Sequence, residues 1–124
     1  MHKVLNSLKN ACYGLQYCFS TQRNMTIHTM VGVIVVVMGI ILRVSLYEML
    51  FLLAAIMLVL VSEAFNTAIE KTIDLYTAER NSLAQVAKDV AAGAVLLTAL
   101  FAVIVGLVVL SPPLWQALRS MLSL

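Results

Sequence analysis

Four polar side chains recur in the stretch EAFNTAIEKTID: Glu63, Asn66, Glu70 and Asp74. At about 100° per residue of an α-helix they fall within a stripe about 80° wide, so one face would carry three carboxylates and an amide. Such a set can hold a divalent cation through oxygen ligands and can take a proton from a hydroxyl group. The context makes the set unusual, because the run from Met49 to Val61 just before it is uncharged and mostly aliphatic. A carboxylate within a turn of hydrocarbon costs a few kcal/mol unless it is paired or used, which makes Glu63 a functional candidate by position alone. For Glu70 and Asp74 the competing reading is a solvated helix face with Lys71 between them.

The elements that must position this stripe are helices in a membrane. Of 124 residues, 62% are hydrophobic and only 11% charged, with a net charge of +2; the mean hydropathy is +0.99. Soluble domains carry about 45–50% apolar residues. The chain therefore reads as one all-α integral-membrane domain over residues 1–124. Residues 1–20 alternate Val4, Leu5, Leu8, Ala11, Leu15 and Phe19 with Lys3, Asn6, Lys9 and Gln16 at helical spacing, which predicts an amphipathic surface helix rather than a signal peptide. Cys12 and Cys18 on that helix would be about 9 Å apart along its axis, too far for a disulfide.

Three spans follow, over 26–43, 46–75 and 88–110. The first ends at Arg43, which can snorkel. The second would be about 45 Å long against a hydrocarbon core of about 30 Å, so its polar end must stand out of the lipid. Counted from Leu46, Glu63 lies about 26 Å along, at the inner limit of the hydrocarbon. The third is expected to close at Ser111-Pro112-Pro113, where proline ends a helix. Lys3, Lys9, Arg23, Lys71, Arg80 and Lys88 fall on one side of this layout and Arg43 and Arg119 on the other. The positive-inside rule then places the amino end in the cytoplasm and the carboxyl end outside, with Trp115 at the outer interface. At the cytoplasmic mouth of the third span, AKDVAAGAVLL offers Lys88 and Asp89 to an anion or a cation. Ala91, Ala92, Gly93 and Ala94 beside them keep that helix thin, which close packing alone would explain.

The pattern Glu-x-x-Asn-Thr-Ala-Ile-Glu-x-x-x-Asp, followed by AKDVAAGA, closely resembles the bacterial diacylglycerol kinase and undecaprenol kinase family, and the resemblance extends over nearly the whole chain. It implies a homotrimeric lipid kinase of the bacterial inner membrane that uses ATP and magnesium, with active sites shared between subunits; no Walker-type P-loop occurs here. By this resemblance Glu63 is the general base toward the lipid hydroxyl, Glu70 a magnesium ligand, and Asn66 and Asp74 order that site. Lys88 and Asp89 would face the nucleotide, with Glu79 near it. Where many relatives have a second metal-binding glutamate, this chain has Gln22, which implies either weaker metal binding or a site in which Glu70 and ATP phosphates supply most ligands. His28 could hydrogen-bond a lipid headgroup, although an interfacial histidine paired with water or backbone is the plainer account.

The expected reaction is phosphorylation of undecaprenol to undecaprenyl phosphate, with diacylglycerol as the alternative acceptor. ATP, the lipid alcohol, the bilayer and further copies of the chain are the expected partners, and nucleic acid is not among them. A small proton-coupled exporter would need its carboxylate near the bilayer midplane, where this chain has none. A non-catalytic assembly factor would leave Glu63, Asn66, Glu70, Lys88 and Asp89 without a shared purpose.

Overall fold

The computed structural model describes residues 2–76 and 81–122. They form four α-helices: α1 (His2–Thr21), α2 (Arg23–Ile41), α3 (Leu46–Tyr76) and α4 (Ser82–Leu122). Helices α2, α3 and α4 are each long and apolar enough to cross a membrane, and the chain is an all-α, multi-pass membrane protein. Helix α1 touches α2 and α3 only lightly and leaves Val4, Leu5, Leu8 and Leu15 exposed, as an amphipathic helix resting on a bilayer would.

Local chemistry sets the helix ends. Gln22 adopts an extended backbone (φ −102°, ψ 110°) between α1 and α2, so the chain turns there although no proline or glycine demands it. At the far end of α2, Arg43 takes a left-handed conformation (φ 55°). The Arg43 and Val44 amides then donate back to the carbonyls of Ile40 and Gly39, both at 3.1 Å. This is the Schellman pattern, which satisfies carbonyls the helix end would otherwise leave bare. Ser45 and Glu48 open α3 as a capping box. The Ser45 amide donates to Glu48 Oε2 at 2.7 Å and the Glu48 amide to Ser45 Oγ at 3.3 Å. Asn81 Oδ1 opens α4 by accepting from the amides of Leu83 and Ala84.

Several boundaries differ from those read from sequence: α2 ends at Ile41 rather than 43, and α4 begins at Ser82, six residues before the expected 88. Helix α2 starts at Arg23, three residues before the expected 26. More substantially, the third span does not stop at residue 110, because α4 runs unbroken through Pro112 and Pro113 to Leu122. A proline's fixed φ is itself helical, but each ring removes one backbone donor and crowds the carbonyl four residues before it. Packed residues flank the pair on either side. Val109 and Leu110, just before the prolines, are buried against Leu52, and just after them the Arg119 guanidinium stacks on the Trp115 ring at 5.2 Å one turn on.

Helix α3 is the centre of the bundle, in contact with each of the others and most extensively with α4. Its buried residues Leu52, Ala55 and Val59 form a stripe of helical period. Helix α2 meets α3 through Met25, Gly32 and Gly39, buried at every seventh position. A Cβ on Gly32 would stand 2.9 Å from Ile56 Cγ2, and one on Gly39 2.8 Å from Met49 Cε. The first clash is with a stiff β-branched side chain, the second with the free end of a flexible one. Gly32→Val should therefore destabilise the detergent-solubilised protein by about 1–3 kcal/mol, and Gly39→Ala by clearly less. Thermal unfolding checks this, and equal midpoints for the two variants would show that α2 and α3 do not meet through this seam.

Candidate active site

The buried stripe of α3 does not end where its apolar residues end. With Leu52 as reference, Ala55, Val59, Glu63, Asn66 and Glu70 all lie within about 80° of helix face. The face that packs the bundle inside the membrane thus becomes, one turn later, the polar face. Glu63, Asn66 and Thr67 are 2%, 8% and 3% exposed, and Glu70 is half-buried. Glu63 and Asn66 thus form a buried polar patch, and of the two residues for which a solvated face was the competing reading, Glu70 is half-buried and Asp74 exposed.

Asn66 Nδ2 donates to Glu70 Oε1 at 3.1 Å, which fixes both side chains one turn apart. Thr67 Oγ1 donates to the Glu63 backbone carbonyl at 2.9 Å. Asn24 and His28 on α2 and Glu70 on α3 are the polar groups within electrostatic reach of the Glu63 carboxylate. Two buried oxygens, Glu63 Oε2 and Asn66 Oδ1, have no hydrogen-bond partner in the described structure. Leaving a buried acceptor unmatched costs about 1–3 kcal/mol, so two of them one turn apart call for donors that the described residues do not supply.

A second polar group closes the cytoplasmic end. Lys88 Nζ, at the start of α4, donates to Asp74 Oδ1 at 2.6 Å, and Lys71 Nζ lies 4.0 Å from Asp74 Oδ2. Asp89 accepts from Gln85 Nε2 at 2.8 Å on its own helix. The fold therefore brings Lys88 to Asp74 and holds Asp89 on α4. Gln22 sits half-buried at the α1–α2 break, off the α3 stripe, with its amide donating to Thr21 Oγ1 at 3.3 Å. Glu79 lies outside the described residues. His28 is half-buried at the head of an apolar groove of about 440 Å³ between α2, α3 and α4, whose walls include Gly32, Leu52, Ala102, Gly106 and Leu114. A second cavity of about 540 Å³ lies between α1 and α3 and is lined by Tyr17, Thr67, Ala68, Lys71 and Asp74.

Among the described residues no three His, Cys, Asp or Glu side chains gather into a metal cage. Magnesium does not require one: it usually keeps waters and binds through one or two carboxylates plus substrate phosphates. Glu70, oriented by Asn66, is the carboxylate that fits such a role.

The profile of the prokaryotic diacylglycerol kinase family matches residues 9–110, and the chain belongs to this family. It is 44% identical over 112 residues to a protein from Synechocystis sp. named diacylglycerol kinase, an alignment that takes in 90% of this chain and 64% of that one. It is 33% identical over 114 residues to a Bacillus subtilis protein named undecaprenol kinase, covering 92% of this chain and 93% of that one. The chain thus spans slightly under two thirds of the first relative and nearly all of the second.

Sequence reading did not single out Asn24. Its place four residues before His28, on the same face of α2, was the available signal. The Asp74 pair is solvated, with both side chains at least a third exposed, and such pairs are screened by water and salt. Asp74→Asn should therefore leave the thermal unfolding midpoint close to the parent's, and a large drop would show that this pair holds α3 and α4 together.

Proposed function

We propose that the protein is a membrane lipid kinase that transfers the γ-phosphoryl group of ATP to the hydroxyl of a lipid alcohol, with undecaprenol the preferred acceptor. The observation that carries this reading is the buried Glu63 carboxylate at the edge of the apolar span, with one oxygen unmatched by any described protein donor. A lipid hydroxyl at headgroup depth can donate to that oxygen. Glu63 takes the hydroxyl proton as the alcohol oxygen attacks the γ-phosphorus; ADP leaves, and the proton passes from Glu63 to water. Phosphoryl transfer asks chiefly for positioning and charge neutralisation, which a small polar set can provide.

In this reading Asn66 holds Glu70, and Glu70 with the Gln22 amide oxygen would hold magnesium. The bound ion would neutralise phosphate charge. Asn66, Asp74, Glu79, Lys88 and Asp89 would serve the nucleotide, with Lys88 shared between Asp74 and phosphate. The positive-inside distribution supports a cytoplasmic site in a bacterial inner membrane, with the amino end inside and the carboxyl end outside. The unmatched Asn66 Oδ1 and the long apolar surfaces of α2 and α4 support sites completed by neighbouring copies in a homotrimer.

The acceptor preference is supported by the groove headed by His28, the neighbour of Glu63. A hydroxyl near Glu63 would leave its hydrocarbon to run along that groove, which suits one isoprenoid chain better than a glycerol with two acyl chains. Diacylglycerol is the second reading, because the 44% identical relative carries that name. Apolar contacts separate substrates by only about 1–3 kcal/mol per methylene-sized difference, so some activity on both lipids is expected.

Two measurements test this. Glu63→Gln should lower turnover by roughly 10²-fold, the range of a general base, with assembly unchanged; near-parent turnover would remove Glu63 from the chemistry. Comparing kcat/KM for undecaprenol and diacylglycerol in nanodiscs at matched mole fraction should favour undecaprenol, and the reverse order would make diacylglycerol the acceptor.

A further inference from the structure

Beside Glu63, and outside the set of residues already given roles, a polar bond crosses between two membrane helices. Ser62 Oγ on α3 and Thr98 Oγ1 on α4 lie 2.7 Å apart. Each hydroxyl is also within hydrogen-bond distance of its own helix: Ser62 Oγ lies 2.9 Å from the Leu58 carbonyl and 3.0 Å from that of Val59. Thr98 Oγ1 lies 3.2 Å from the Ala94 carbonyl and 2.9 Å from that of Val95. Whichever hydroxyl donates across the interface, the other can give its hydrogen to a carbonyl of its own helix. Both hydroxyls are then matched in a place with little water.

Along α3 the second cross-link to α4 is Asp74–Lys88 at 2.6 Å. The two links run in antiparallel order, 62 with 98 and 74 with 88, and they bracket Glu63, Asn66 and Glu70. We infer that Ser62 and Thr98 are positioning residues for phosphoryl transfer, forming the membrane-side anchor of a two-point clamp that fixes the rotation of α3 and so the direction of the Glu63 carboxylate. Ser62 precedes Glu63 by one residue, about 100° of helix rotation. With Ser62 bound to α4, the adjoining Glu63 keeps its buried position, 2% exposed, and a rotation of α3 would carry it out. The cytoplasmic link is solvated and screened, whereas the Ser62–Thr98 link sits where a lost partner cannot be replaced readily by water. Small residues let the helices come close enough for two short side chains to meet: Ala91 is buried one turn before Val95 on the same face as Thr98.

The inference rests on the lipid kinase reading, and two readouts separate its failure from that of the reading. The variants are Ser62→Ala, Thr98→Val, which keeps the side-chain shape but removes the hydroxyl, and Thr98→Ser, which keeps the hydroxyl. Hydrogen exchange over residues 63–70 of purified protein needs no substrate. It should quicken in Ser62→Ala and Thr98→Val and stay at the parent rate in Thr98→Ser; unchanged exchange in the first two overturns the clamp whether or not the protein phosphorylates lipid. In the kinase assay both should lower kcat by about 3- to 15-fold, the range expected for losing one interhelical hydrogen bond, with KM for ATP held. The double variant should be no worse than the worse single. A parent without activity on any lipid alcohol would defeat the kinase reading alone. An active parent with kcat unchanged in Thr98→Val, or with single effects that simply multiply in the double, would overturn the positioning role.

Discussion

Holding the Glu63 carboxylate buried at the end of an apolar packing stripe is costly, and much of the bundle's arrangement follows from it. A carboxylate there is tolerated when its surroundings are fixed and polar. The structure meets this condition by continuing one face of α3 from an apolar packing stripe (Leu52, Ala55, Val59) into a polar one (Glu63, Asn66, Glu70). The contacts that hold the bundle together and the groups that carry the proposed chemistry are therefore one surface. Any rotation of α3 that exposed Glu63 to lipid would also unpack Leu52 from Val109 and Leu110.

That economy explains how so thin a protein can place polar groups reliably. Among the described residues the polar groups lie along helix faces and in open clefts between helices. The chain relies on short cross-helix links and on close backbone approach at Gly32 and Gly39, where any side chain would collide with Ile56 or Met49. Interhelical packing in lipid draws little on the hydrophobic effect, so small residues and hydrogen bonds carry a larger share of the work. The unmatched Glu63 and Asn66 oxygens are the counterpart of that arrangement: the described chain orders them but supplies no donor.

The family relationship sets the class of chemistry, and the physical features of this chain bear on its particular form. Gln22 stands at the α1–α2 break with its amide nitrogen donating to Thr21, and on α3 Glu70 accepts from Asn66. The apolar groove that begins at His28 carries Gly106 on its wall, where an added Cβ would meet nothing within 4 Å. On the proposed reading, an acceptor chain lying in that groove would be selected by apolar fit, the kind of fit that discriminates weakly.

The amino-acid sequence by itself determined the class, the number of membrane helices and the polar stripe, because these depend on composition and on periodicity within one helix. Glu63, Asn66, Glu70 and Asp74 share a face by spacing alone, and the 30 Å of hydrocarbon fixes roughly where along α3 they emerge. Single residue types misled where neighbours decide the outcome. Pro112 and Pro113 read as a stop, yet α4 continues, with Val109 and Leu110 packed on one side of the pair and the Trp115–Arg119 stack on the other. Only the tertiary structure decided that Asn24 and His28 lie within electrostatic reach of Glu63, that Lys88 spends its charge on Asp74, and that Ser62 meets Thr98 thirty-six residues away. Contacts of that kind depend on how far one helix is turned against another, and helix rotation is set by the summed packing of whole faces, which no local spacing records.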